Sequence, residues 1–317
     1  MAETDWGNQT DIKFILLGFG DLPDQNIFLF LLFLVIYITT VAGNTLIIVL
    51  VVVDKQLHTP MYFLLGNLSS LETCYTSTIL PRMLANLLTG DKTIFFNSCF
   101  TQLYFFAELP LLTIMAYDRY VAICQPLHYE RVMSKRVCIQ MAASAWTSGI
   151  LYSALHTGNT FVLTFCGGNT VDQFFCEIPQ LLKLACSNSY LGETGVIVVS
   201  ACLALIHFVF IIVSYVLIFK TVLRIPSEQG RHKAFSTCFP HLIVVSLFIC
   251  TATFAYMKPT SSSASALDLA MAVLYSMVPP MVNPIIYSMR NKDIKAALWK
   301  MIGLRQLPWN KMSIFIP

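Results

Sequence analysis

Charge is what this sequence lacks. Of its 317 residues only 12% are Asp, Glu, Lys or Arg, about half the ~25% of an average soluble domain, while 56% are hydrophobic. With a mean hydropathy of +0.68, the surface left after burying a core could not be kept wet, so a soluble enzyme is largely excluded. The charges that are present nearly cancel, 20 Lys and Arg against 17 Asp and Glu, which excludes a basic nucleic-acid binder. At 13%, aromatics are too many for a disordered chain. No HExxH, GxSxG or phosphate-binding glycine loop occurs, so catalysis is not expected. The two halves are not alike, which weighs against a small transporter built from internal repeats.

The apolar residues that are present gather into seven stretches, roughly 27 to 53, 61 to 88, 99 to 124, 138 to 162, 195 to 223, 234 to 257 and 267 to 289. Each approaches or exceeds the ~20 residues that cross a bilayer as a helix. The first and fifth are the clearest. The second, third and seventh are interrupted by Glu72, Pro81, Arg82, Glu108, Pro110 and the Pro279-Pro280 pair. Met1 to Asp24 is acidic and polar without the basic start of a signal peptide, so the first span is expected to direct its own insertion.

Basic residues in the connections set the orientation, because Lys and Arg are retained on the cytoplasmic side. With the N-terminus outside, 15 of the 20 basic residues, from Lys55 to Lys311, lie inside, and only Lys13, Arg82, Lys92, Lys183 and Lys258 lie outside. The expected fold is an all-α membrane protein, a seven-transmembrane helix bundle with an extracellular N-terminus. It divides into an extracellular segment 1–26, a bundle 27–290 and a cytoplasmic tail 291–317. In that tail Ile294, Ala297, Leu298 and Met301 have the spacing of a short amphipathic helix on the membrane.

Of the ten cysteines, Cys74, Cys124, Cys138, Cys202, Cys238 and Cys250 fall in spans or on the reducing side and read as small hydrophobes. Cys99, Cys166, Cys176 and Cys186 fall outside, where four thiols permit three pairings and spacing does not choose among them. Zinc is disfavoured because no histidine lies in 163–194. The sequon at Asn8 is a candidate glycan site, whereas the one at Asn67 lies inside a span.

Glu72 and Glu108 stand at membrane depth, where an acid must be paired, protonated or facing a hydrated cavity. A protonated carboxyl bonded to a neighbouring helix would suffice. The sharper reading is a sodium ion shared by the two acids with oxygens of Asn44, Ser69 and Asn283. At the inner end of the third span, Asp118-Arg119-Tyr120 places an Arg beside an acid whose partnership it can exchange when helices move.

Several long segments carry a resemblance. LHTPMYFLLGNLSSLE covers Leu57 to Glu72, MAYDRYVAICQPLHY covers Met115 to Tyr129, KAFSTC covers Lys233 to Cys238 and PMVNPIIYSMRN covers Pro280 to Asn291, with Gly43-Asn44 before them and Ser214-Tyr215 between. In this order they resemble the olfactory (odorant) receptors within the rhodopsin-like G-protein-coupled receptors. The resemblance implies disulfides Cys99–Cys176 and Cys166–Cys186, and an inner lock of Asp118 and Arg119 with Arg231 and Lys233 at the base of the sixth helix. It further implies a seventh-helix switch of Asn283, Pro284 and Tyr287. The implied odorant cavity is lined by Gln102, Phe105, Phe106, Val199, Ser200, Leu203, Ala204, Ala252, Thr253 and Tyr256, a mostly apolar set suited to a small hydrophobic ligand. Its implied partners are an odorant, the stimulatory olfactory G protein that raises cyclic AMP, and membrane lipid, with the plasma membrane as the implied site.

The sequence departs from the family pattern in several places. About five residues fewer than usual separate Cys99 from Arg119, a deficit of ~7 Å of helix near Phe106 to Glu108. This puts the reach to Cys176 and the shape of the pocket in question, and the alternative it raises is a receptor-like chain with impaired signalling. Pro110 is expected to kink the helix. Ile249 stands where a tyrosine is common, Pro240 replaces a small residue, and Gln173 replaces a histidine beside the loop cysteine.

Overall fold

The computed structural model describes residues 13–18, 23–102, 108–162, 169–176, 181, 184, 190–257 and 266–303. Its long helices are α1 (Pro23–Val53) and α2 (Pro60–Thr89), then α3 (Phe96–Gln102) followed by α4 (Glu108–Cys124). After the single turn α5 (Tyr129–Val132) come α6 (Lys135–Val162), α7 (Tyr190–Leu223), α8 (Glu228–Met257), α9 (Ala266–Arg290) and the short α10 (Lys292–Met301). The expected spans match these within a few residues at most ends. Among the described residues four helical stretches are long and apolar enough to cross a membrane, Asn26–Val53, Val198–Leu223, Glu228–Cys250 and Leu269–Ser288.

The third span is described in two parts, α3 to Gln102 and α4 from Glu108, with 103–107 outside the described residues, so the kink expected at Pro110 turns on the carbonyl of Phe106, which lies among those undescribed residues. The bundle also carries a small sheet that the all-helical reading omitted, with strands β1 (Lys13–Leu16), β2 (Thr93–Phe95) and β3 (Thr170–Val171) in the order β2-β1-β3. β1 runs antiparallel to β2, pairing Lys13 with Phe95, and parallel to β3, pairing Ile15 with Thr170. Strands of two to four residues give no readable alternation, and their pairing is long-range.

Local chemistry explains the helix ends. Pro60 opens α2 at the position where a missing N–H costs nothing, and Gly90 closes it at φ +70°, donating its N–H to Asn86 at 2.9 Å. Asn291 caps α10, its side chain accepting from the N–H groups of Asp293 (2.9 Å) and Ile294 (3.3 Å).

The packed interior has two parts. At the Arg119 end, Ile47, Leu64, Leu68, Leu112, Met115, Ile211, Tyr215, Val244 and Tyr287 join helices α1, α2, α4, α7, α8 and α9. At the disulfide end, Phe174 and Phe175 of the loop after β3 insert among Phe33 of α1, Ile79, Leu80 and Met83 of α2, and Ala272 and Met277 of α9. α1 and α9 approach closely where Gly43 faces Pro284, since a Cβ on that glycine would lie 3.0 Å from Pro284 Cγ.

Candidate functional site

At one end of the bundle Asp118 and Arg119 are both buried, and Arg119 Nε lies 3.9 Å from Asp118 Oδ2. That separation is an ion pair rather than a hydrogen bond. The Tyr129 hydroxyl donates to Asp118 Oδ1 at 2.8 Å, so one carboxylate serves both the arginine and the turn after the helix. Burial and then the Asp118 charge hold the Tyr129 phenol well above its ordinary pKa, keeping it a neutral donor. Tyr120 is half-buried, stacks near Tyr117 and accepts from Gln125 Nε2 at 3.3 Å. Beside them Tyr215 of α7 and His241 of α8 share a buried hydrogen bond of 2.6 Å. Lys233 is exposed and Arg231 half-buried in the first turns of α8. Ile249 packs against the interior, and α8 continues through Pro240.

Midway along the bundle lies a buried polar cluster. Glu72 Oε1 accepts a hydrogen bond from Asn283 Nδ2, joining α2 to α9. Asn44 of α1 donates to the carbonyls of Thr40 (3.1 Å) and Pro280 (3.0 Å). Glu108 opens α4 with its Oε1 shielded from solvent. Ser69 is buried close by on α2. Four shielded oxygens, Glu72 Oε2, Asn44 Oδ1, Asn283 Oδ1 and Glu108 Oε1, have no hydrogen-bond partner among the described residues. Tyr287 is buried one turn after Asn283, and Pro284 is the residue that meets Gly43.

At the other end, Cys99 of α3 is bonded to Cys176, with Cα atoms 5.4 Å apart, so the short third span does reach the loop. Gln102 is only 5% exposed and spends both ends of its amide on protein, Nε2 donating to the Thr78 carbonyl (3.2 Å) and Oε1 accepting from Cys176 N (2.9 Å). Arg82 donates to the Thr93 carbonyl and pairs with Asp91 at 3.3 Å, fixing the connection that carries β2. Hydrogen bonds from the Thr93 hydroxyl and N–H, and then Arg82, hold the Asp91 carboxyl below the usual carboxylate range.

Of the expected cavity lining, Val199, Leu203, Ala204 and Thr253 are exposed and Ser200 is half-buried. Ala252 and Tyr256 lie on α8, but their side chains are outside what is described. Phe105, Phe106, Cys166, Cys186 and Asn8 lie outside the described residues. Gln173 is buried beside the sheet, its carbonyl accepting from Gly18 N at 3.3 Å.

Sequence reasoning missed the docking of α10. Asp54, after α1, pairs with Lys300 at 3.2 Å, and the Tyr62 hydroxyl reaches Asn291 Oδ1 (2.8 Å) and Asp293 Oδ2 (2.7 Å). These partners are 229 to 246 residues apart, so no local spacing could announce them.

Comparison with known proteins gives a consistent result. A family model described as olfactory receptor matches residues 33–305. Human olfactory receptor 14L1 is 47% identical over 302 residues, covering 93% of this chain and 93% of its own. Human olfactory receptor 10C1 is 50% identical over 295 residues (92% and 95%), and mouse olfactory receptor 5AP2 is 44% identical over 301 (93% and 95%). Among solved structures, squid rhodopsin aligns with a TM-score of 0.63 at 17% identity over 92% of this chain and 91% of its own, a likeness in fold.

Proposed function

Because this chain belongs to the olfactory receptor family of rhodopsin-like G-protein-coupled receptors, we propose that it binds a small, mostly hydrophobic odorant and activates the stimulatory olfactory G protein to raise cyclic AMP. Membership makes it a membrane signalling receptor with a small ligand and a G protein as partners, not an enzyme. On this reading the receptor sits in the plasma membrane with its N-terminus outside.

The observation that carries it is the buried Asp118–Arg119 pair held by Tyr129, beside the Tyr215–His241 bond between α7 and α8. An odorant that binds better when α8 swings outward shifts the population toward that state, and only by its differential affinity. The swing breaks the Tyr215–His241 bond and opens a basic cleft around Arg119, with Arg231 and Lys233 at its rim, to the G protein.

The central cluster fits a bound sodium ion, since its unpartnered atoms are all hard oxygens, two of them from carboxylates. Glu72, Glu108, Asn44 and Asn283 would hold the ion and tie α1, α2, α4 and α9 together in the resting state. Asn8 would carry a glycan and Cys166 would pair with Cys186.

The test is surface staining with a cyclic AMP reporter over an odorant panel, run on the chain and on Arg119→Ala. A response in the chain that vanishes in the variant at equal surface density is expected. Silence of a well-expressed chain to the whole panel would count against the reading. For the ion, Glu72→Gln or Glu108→Gln should abolish any effect of sodium on basal signalling, and unchanged sodium sensitivity would rule the site out.

A further inference from the structure

Near its inner end α7 carries two cations on the side turned away from the bundle. The buried stripe of this helix is Ile211, Ser214, Tyr215, Ile218 and Val222, at three- and four-residue spacing. Lys220 stands two residues from both Ile218 and Val222, roughly 200° round the helix from each, so it branches opposite to the stripe. Arg224 follows four residues later on the same side, and the exposed Val213, Val216 and Leu217 continue that face in the other direction.

Their depth and their lack of partners set these cations apart. The apolar span runs Val198–Leu223, so Lys220 branches from within it and Arg224 from the residue after its end. A lysine stem can lie along apolar surface and carry its ammonium to the headgroup level. Among the described residues neither cation forms an ion pair, and Glu228, the exposed acid that opens α8, is bonded to neither. Like charges one turn apart on a helix repel each other, and an anion set between them removes that repulsion.

Beside the cations, α7 and α8 meet in an aromatic seam. Phe219 of α7 and Phe235 of α8 are both exposed, with ring centroids 5.6 Å apart, and Phe219 backs onto Tyr215 at 6.5 Å. Leu223, one turn from Phe219 on the same side, is exposed as well. Apolar surface within the span and cationic heads at its margin match the two parts of a phospholipid, acyl chain and phosphate.

We propose that this surface of α7 and α8 binds one anionic phospholipid, its phosphate held by Lys220 and Arg224 and an acyl chain laid on Phe219, Leu223 and Phe235. The proposal rests on the receptor reading only for the leaflet, which that reading makes the cytoplasmic one, where anionic lipid is found.

The test is native mass spectrometry of the full chain in detergent, titrated with phosphatidylinositol bisphosphate and, separately, with phosphatidylcholine. One bound phosphoinositide, preferred over phosphatidylcholine, is expected. Lys220→Gln with Arg224→Gln should weaken it by about 30-fold with an unchanged thermal midpoint. Arg131→Gln with Lys135→Gln, an exposed basic pair where α5 meets α6, should leave it within about two-fold. Equal losses in the two double variants would overturn the site, since only a general attraction to basic surface would remain. Phe235→Ala keeps every charge and should weaken binding by about five-fold, and unchanged binding would overturn the acyl-chain seat. Soluble inositol trisphosphate competing as well as the lipid would overturn a lipid as the occupant. Because binding is read without odorant or G protein, a chain silent to every odorant would fail the receptor reading and leave this result standing.

Discussion

Asp54 and Lys300 show how much a single residue can do outside the spans. The Gln56 N–H, and then Lys300, hold the Asp54 carboxyl below its ordinary value of 3.8. A depressed folded-state pKa means that its contribution is present in full above the ordinary aspartate range and is lost as pH falls through the lowered value. Protection of the Lys292–Met301 amides, their exchange rate divided into the intrinsic rate at each pH, should therefore hold at neutral pH and fall in acid, and Asp54→Asn should show the lowered protection already at pH 7. Tyr62 makes the neighbouring contact. Its one hydroxyl proton is shared between Asn291 Oδ1 and Asp293 Oδ2, so Tyr62→Phe removes that shared hydrogen bond without leaving a cavity. A loss of about 1–2 kcal/mol is expected, read as a lower thermal midpoint in detergent.

Helix elements here are held by close approach more than by apolar burial, since lipid tails are as apolar as leucine and supply little drive for helices to associate. Gly43 against Pro284 is the tightest such approach among the described glycines, and a methyl group there would need the proline to give by a few tenths of an ångström. Gly43→Ala should destabilise by about 1–3 kcal/mol, and Pro284→Ala in the same chain should recover part of it, measured as a double-mutant cycle on thermal stability. α3 owes its place to covalent chemistry. Its bond from Cys99 to Cys176 closes a loop of 77 residues, worth about 4 kcal/mol by loop entropy. Cys99→Ser should cut surface staining sharply, because the covalent tie between α3 and the loop is then replaced by the single hydrogen bond from Cys176 N to Gln102 Oε1.

For the whole molecule, the short third span is the distinguishing feature. The match to the olfactory receptor model runs through it, and Cys99 still reaches Cys176. The frame therefore survives the missing residues. Inserting five residues between Gln102 and Glu108 should leave surface staining within two-fold, a margin of about 0.4 kcal/mol, while changing which odorants of a panel raise cyclic AMP. An unchanged panel would show that the segment does not shape the ligand cavity.

The helical frame was legible in the sequence because bilayer thickness imposes it locally. A run of about 20 apolar residues must close its own backbone hydrogen bonds, and such a run can be counted without knowing its neighbours. The Asp118-Arg119 pair was legible for the same reason, its members being adjacent. What only the tertiary structure decided depends on partners far apart in the chain: the three-stranded sheet joining residues 13–16, 93–95 and 170–171, and the docking of α10 through Asp54 and Tyr62. Gln102 makes the same point from within one side chain. The resemblance implies a place in the cavity lining, and its two amide bonds, to Thr78 and Cys176, also make it a tie between helix and loop, because a buried amide takes whatever partners the fold brings within reach.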